Sequence, residues 1–202
     1  MKIGFDFDNT IINYENVFTM LAKEIDFHEN EKFKMTKVGI RDYLRSCNKE
    51  EIWTRMQAEA YGPKIIYAKP YRDVIEVIKK LKNNNIDLCI VSHKTLRPYI
   101  GPPYNLHMYA RTWLEQYKFC DEDLFGSDKF NIFFEETKEL KIKRILSCGC
   151  SHYIDDLPEI LKLLPDSVEK ILFSPETPNI NASDAFKVMR NWRDLCQTIS
   201  QN

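Results

Sequence analysis

The sequence predicts an α/β protein built on a doubly wound parallel sheet. Two observations predict it. Short apolar runs of strand length alternate with stretches whose apolar residues recur at helical spacing. Three of those runs also end in polar residues able to do chemistry: Lys2 to Asp8, Ile86 to Ser92 and Ser151 to Asp156. A parallel sheet brings the carboxyl ends of its strands to one edge, where open α/β sheets bind their ligands.

Taken in order, residues 2–8 read as the first strand. Residues 14–69 break the alternation. They are mostly helical in pattern, with breaks near His28-Glu29-Asn30 and Tyr61-Gly62-Pro63. This divides the chain into a core of residues 1–13 and 70–202 and an inserted helical segment, 14–69. Residues 70–82 read as an amphipathic helix, with Val74, Val77, Ile78 and Leu81 on one stripe and Pro70 at its start. Asn83-Asn84-Asn85 ends it, because Asn tolerates the left-handed conformation of a helix terminus. The second strand follows over 86–91. A helix over 109–117 carries Ala110, Trp113, Leu114 and Tyr117 on one face, and Asn131 to Phe134 reads as the third strand. A short helix from about Lys141, with Ile142, Ile145 and Leu146 as its apolar face, leads to a fourth strand at 151–155. Leu157 to Leu164 reads as helix, Lys170 to Phe173 as the fifth strand, and 184–199 as a last helix with Ala185, Val188, Met189, Trp192, Cys196 and Ile199 in register.

Composition narrows the function classes. The 202 residues are 44% hydrophobic and 29% charged, ordinary for a globular domain with one substantial core. A formal net charge of −1 without a large basic block argues against electrostatic binding to nucleic acid or acidic membranes. No apolar run approaches the ~20 residues of a membrane helix. With chemistry-bearing residues already at position 6 and no signal-peptide pattern, a cytoplasmic location is the default expectation. The six cysteines form no paired framework, which fits a reducing compartment. Cys148-Gly149-Cys150 is the one close pair, and it reads as structural rather than as a zinc or redox site.

Asp6 and Asp8 alternate onto one side if the first strand persists that far. Two adjacent carboxylates repel each other and bind protons more readily unless a cation lies between them. The plainer alternative is two exposed loop aspartates before a helix, with Thr10 as its cap. Asp155 and Asp156 form a second acidic pair at another strand end, and Ser92 puts a hydroxyl at a third.

On these residues the sequence resembles the haloacid dehalogenase-like (HAD) hydrolase superfamily, most of whose members are phosphatases. Asp6-Phe7-Asp8-Asn9-Thr10 matches its DxDxT motif, Ser92 its second-motif Ser/Thr and Asp155-Asp156 its acidic pair. Asn9 stands where Gly is common. The resemblance implies a five-stranded Rossmann-like sheet of order 3-2-1-4-5, with 14–69 as a helical cap. It further implies a magnesium-dependent phosphatase acting on a small phosphorylated metabolite, a sugar phosphate or a nucleotide. Asp6 would be the nucleophile, forming an aspartyl-phosphate, and Asp8 the acid and base. Asp6, the Asp8 carbonyl and Asp155 would hold the ion, with Asp156 binding through water or orienting the other ligands. Ser92, with Thr10, would contact the phosphoryl group, and a lysine would add positive charge. Lys141 is the first choice for that lysine, ahead of Lys138 and Lys129. His93 and Lys94, directly after Ser92, are candidates to line the substrate entrance, with plain polar loop residues as the alternative. Hydrolytic dehalogenation and a non-catalytic binding module are the alternatives. The first leaves Asp155 and Asp156 without a role.

Overall fold

The computed structural model describes residues 1–25, 34–126, 131–175 and 186–200. His28-Glu29-Asn30, Lys129 and Ala185 lie outside the described residues. The described chain packs as two compact units. One comprises Met1–Ile12, Pro70–Lys94 and Glu115–Asn202; the other comprises Asn13–Lys69 and Thr95–Leu114. The second therefore includes residues 95–114, beyond the 14–69 segment that the sequence pattern set apart.

The first unit is built on a six-stranded sheet. Its strands are β1 (Lys2–Phe5), β4 (Asp87–His93), β5 (Ile132–Glu135), β6 (His152–Asp155), β7 (Glu169–Phe173) and β8 (Lys187–Met189). The order is β5-β4-β1-β6-β7-β8, and every neighbouring pair is parallel. The expected 3-2-1-4-5 order is thus present, extended by a sixth strand at one edge. The short segments β2 (Ile12–Asn13) and β3 (Lys69–Pro70) form a separate two-stranded sheet.

Strands at the centre of a parallel sheet are covered on both faces and so run apolar. Ile3 and Phe5 are fully buried in β1, and Leu88 to Ser92 are buried throughout β4. The helix Val74–Asn83 buries the expected Val74, Val77, Ile78 and Leu81. Each such side chain is worth ~1.5–3 kcal/mol when fully removed from water. It starts later than expected because Pro70 belongs to β3. Asn85 beyond it takes a left-handed φ of 56°.

The sixth strand is a correction. The apolar residues of 184–199 fall at helical spacing, but the described part is not one helix. Lys187–Met189 pairs with β7, Leu172 opposite Val188, before a 3-10 turn at Trp192–Asp194 and a short helix at Leu195–Ser200. The edge of β7 offers a row of unpaired backbone groups, and pairing with it outweighs a weak local helical preference. Trp192 is fully buried, stacks 5.5 Å from Phe5, and donates its Nε1–H to the Thr10 carbonyl at 3.1 Å.

In the second unit, helices α1 (Glu15–Glu24), α2 (Lys37–Ser46) and α3 (Glu50–Tyr61) pack together. Phe18 stacks on Trp53 at 4.7 Å, and Ile40 and Leu44 are fully buried. Leu106–Gln116 is also helical, and the Trp113 Nε1–H bonds the Ala68 carbonyl at 3.0 Å. No described helix is long and apolar enough to cross a membrane.

Candidate active site

The site lies within the sheet-bearing unit, at the carboxyl ends of β4, β1 and β6. Asp6 directly follows β1. Its backbone N–H bonds the Ile154 carbonyl at 2.8 Å, extending the β1–β6 ladder by one step and locking Asp6 beside the end of β6. Asp155 is the last residue of β6 and is fully buried; Ser92, near the end of β4, is also fully buried. The Ser92 hydroxyl donates to Asp6 Oδ1 at 2.9 Å.

Lys141 comes from the helix Lys138–Ser147, which is capped by Thr137 accepting the Leu140 N–H at 3.2 Å. The helix begins three residues earlier than the sequence pattern placed it. Its buried stripe is Lys141 and Ile145, and Leu146, expected on the apolar face, is exposed. The Lys141 ammonium donates to Asp6 Oδ1 and to Asp155 Oδ2, both at 2.6 Å. Lys138 turns outward to Glu159 at 3.2 Å. The ammonium also lies 5.6 Å from the centre of the Tyr153 ring, whose hydroxyl donates to the Val91 carbonyl. In the sequence Tyr153 reads only as a strand residue, and its alternation onto the face of Asp155 is the available signal.

The turn after Asp6 is tight. The Phe7 carbonyl accepts the N–H groups of Ile11 at 3.0 Å and Ile12 at 3.1 Å. It needs Asn9 at φ 59°, a left-handed conformation that Asn tolerates better than most residues. That explains why Asn can stand where the resembled motif often carries Gly. Asp8, in this turn, accepts the Lys94 ammonium on both oxygens, at 2.9 Å and 2.7 Å. Lys94 is buried and also lies 5.5 Å from the centre of the Phe7 ring. Lys94, which the sequence offers either as an entrance residue or as a polar loop residue, is bonded to Asp8. His93 instead directs Nε2 to the Glu136 carbonyl at 3.2 Å. Thr10 is buried, and its hydroxyl has no hydrogen-bond partner among the described residues. It caps no helix, since α1 starts at Glu15 with Tyr14 before it.

Electrostatics follow from this packing. Burial disfavours the Lys141 ammonium, but the carboxylates of Asp6 and Asp155 outweigh that and hold its pKa above the usual lysine range. Burial pushes the Asp155 carboxyl up to about 7. Asp6 adds to the rise, against the Lys141 ammonium and the Leu157 N–H that bonds Asp155 Oδ1 at 2.9 Å. One ammonium thus serves two buried carboxylates, and Asp156 is half-buried alongside. Carboxylate oxygens of Asp6, Asp155 and Asp156 lie within 4.8 Å of one another. An all-oxygen, carboxylate-rich set with surplus negative charge suits a hard divalent cation such as magnesium.

Known proteins share this fold. Residues 3–100 match the family described as haloacid dehalogenase-like hydrolase. No curated protein matches the chain by sequence. Among solved structures, a predicted phosphatase from Clostridium acetobutylicum is similar at a TM-score of 0.66 and 14% identity, over 100% of this chain and 98% of that one. A predicted phosphoglycolate phosphatase from Haemophilus somnus is similar at 0.58 and 13%, over 98% and 97%. A HAD-hydrolase from Bacillus subtilis, bound to magnesium, is similar at 0.59 and 13%, over 98% of both chains. At these identities the structures speak for the fold, and the family match covers the strands that carry Asp6, Asp8 and Ser92. With its DxDxT turn, its strand-end serine and its lysine-bridged aspartates on this sheet, the chain has the fold of the haloacid dehalogenase-like hydrolases and matches that family over residues 3–100.

Proposed function

We propose that the protein is a magnesium-dependent phosphatase that hydrolyses a small phosphate monoester through an aspartyl-phosphate at Asp6. One observation carries the reading. Ser92 and Lys141 both bind Asp6 Oδ1, so Oδ2 takes neither bond and is the oxygen presented to phosphorus. Asp6 attacks in line, and the bond from phosphorus to the leaving oxygen breaks. Asp8 gives that oxygen its proton, then takes one from the water that attacks the phospho-aspartate, releasing phosphate and restoring Asp6. In the resting site Asp8 is ion-paired to Lys94. A phosphate dianion offers that ammonium a competing partner, and the released Asp8 carboxylate takes up a solvent proton, which it then gives to the leaving oxygen.

Asp6, Asp155 and the Asp8 carbonyl would hold magnesium, with Asp156 beside them. When bound, the ion supplies positive charge against the phosphoryl oxygens and the two buried carboxylates. The Ser92 hydroxyl and the Lys141 ammonium orient the same oxygens. The magnesium in the Bacillus subtilis relative supports the choice of metal, and the phosphatase descriptions of the clostridial and Haemophilus relatives support the reaction. Residues 14–69 are assigned as the cap that selects substrate, a sugar phosphate or a nucleotide.

The test is a screen of phosphorylated metabolites with and without magnesium. Magnesium-dependent phosphate release is expected. Metal binding without hydrolysis of any monoester would point instead to a non-catalytic binding module.

A further inference from the structure

The three cysteines of β4 and the turn before β6 have no part in the proposed reaction. Cys89 is fully buried in β4, Cys150 is buried, and their Sγ atoms lie 3.5 Å apart. Cys148 is half-buried and packs against the core cluster that holds Cys89 and Cys150. The approach depends on Gly4, which lies between Cys89 and Tyr153 across the sheet. A Cβ on Gly4 would sit 2.9 Å from Cys150 Sγ and 2.7 Å from Tyr153 Cδ2. The missing side chain is what lets the two sulfurs meet over β1.

We propose that Cys89, Cys148 and Cys150 form an oxidative modification site. There a hydroperoxide converts Cys89 and Cys150 into a reversible disulfide, with Cys148 as the thiol that meets the oxidant. The thiols divide the work by position. Cys148 is the accessible one, and its pKa is lowered to about 6 by hydrogen bonding to the Cys89 thiol, with the charges of Lys2 and Arg144 adding to the fall. It is therefore largely thiolate, the nucleophilic form, at neutral pH. Hydrogen bonding to Cys148 and Cys150, together with burial, raises Cys89 and keeps it a thiol. Gly149, between the other two, is left-handed at φ 69° with open space where its Cβ would lie. That leaves the turn room to shift as the sulfurs close from 3.5 Å to the ~2.05 Å of a disulfide.

The steps balance. The Cys148 thiolate attacks the hydroperoxide, the O–O bond breaks, and the departing alkoxide or hydroxide takes a proton, leaving a sulfenic acid. The Cys89 sulfur then attacks that sulfenic sulfur, and hydroxide leaves with the Cys89 proton as water. Finally Cys150 attacks Cys89 and passes its proton to the departing Cys148 thiolate. Overall, two thiols lose two electrons, and the hydroperoxide is reduced to an alcohol and water.

The experiment uses the reduced full chain with hydrogen peroxide as the probe, and free thiols are counted after denaturation. Two thiols should be lost and recovered with dithiothreitol. Tryptic peptide 83–94 should be cross-linked to 145–162, and fragmentation between positions 148 and 150 should place the bond on Cys150. Cys148→Ser should slow the reaction about tenfold or more while leaving the same bond as the product. Four results would overturn the proposal: a dominant Cys148–Cys150 bond, irreversible oxidation of Cys148 with Cys89 and Cys150 free, reaction confined to the exposed Cys47, or an unchanged rate in Cys148→Ser. The readout requires no turnover, so it stands or falls separately from the phosphatase reading.

Discussion

Replacing Lys141 by Met keeps most of the side-chain volume and removes the charge. Lys141 is 1% exposed and makes two ion pairs at 2.6 Å, to Asp6 and Asp155. Removing one partner from a buried ion pair typically costs ~3–5 kcal/mol, because the remaining charge is left uncompensated. For a chain of this length that is a fall in Tm of about 6–20 °C. The loss depends on pH in a defined direction. The Asp155 carboxyl already titrates at about 7, and losing the ammonium raises it further. At pH 5.5 it takes up a proton and needs no partner, so the deficit shrinks; at pH 8 the deficit is full. Lys138→Met removes only the exposed pair with Glu159, 43% and 58% exposed, which is worth ~0–1 kcal/mol. The assay is urea or thermal unfolding of both variants in chelator at the two pH values. The reasoning is refuted by a Lys141→Met protein within ~0.5 kcal/mol of wild type, by a loss matched in Lys138→Met, or by a deficit that grows on acidification.

Three further outcomes are expected. The folded pKa of Asp155 is raised above the unfolded value, so its contribution to stability is complete below about pH 4 and is lost as pH rises through about 7. The metal-free protein should therefore lose stability as pH rises from about 4 to about 7, and magnesium binding at pH 7 should release a fraction of a proton, seen by calorimetry in buffers of different ionisation enthalpy; no buffer dependence would remove Asp155 as a ligand. Asp6→Asn should abolish the nitrophenol burst from para-nitrophenyl phosphate. Asp8→Asn should retain one while losing about 10²–10⁴-fold on substrates with poor leaving groups, and equal loss of the burst in both would contradict the assigned roles. Gly4→Ala should cost ~1–3 kcal/mol by crowding Tyr153 and Cys150, and an unfolding midpoint equal to wild type would show that the sheet relaxes around the added methyl.

The sequence alone carried the strands and the chemistry at their ends, because both are local. A run such as Lys2 to Phe5 has no stable place except inside a covered sheet, and the residues that follow it must emerge at the carboxyl edge. Five strands, their order by family resemblance, and the convergence of Asp6, Ser92 and Asp155 needed only that logic. The tertiary structure decided what depends on distant partners. Lys138 and Lys141 are equivalent in composition, and only the true start of their helix at Thr137 turns Lys141 inward onto two carboxylates. Lys94 reads as a loop residue until Asp8, 86 positions away in the chain, supplies its counter-charge. Residues 187–189 carry a helical pattern, yet the unpaired edge of β7 makes them a strand, since a ladder of hydrogen bonds outweighs a weak periodicity. The 3.5 Å approach of Cys89 to Cys150 depends on a glycine in a third segment, whose missing side chain no local pattern records.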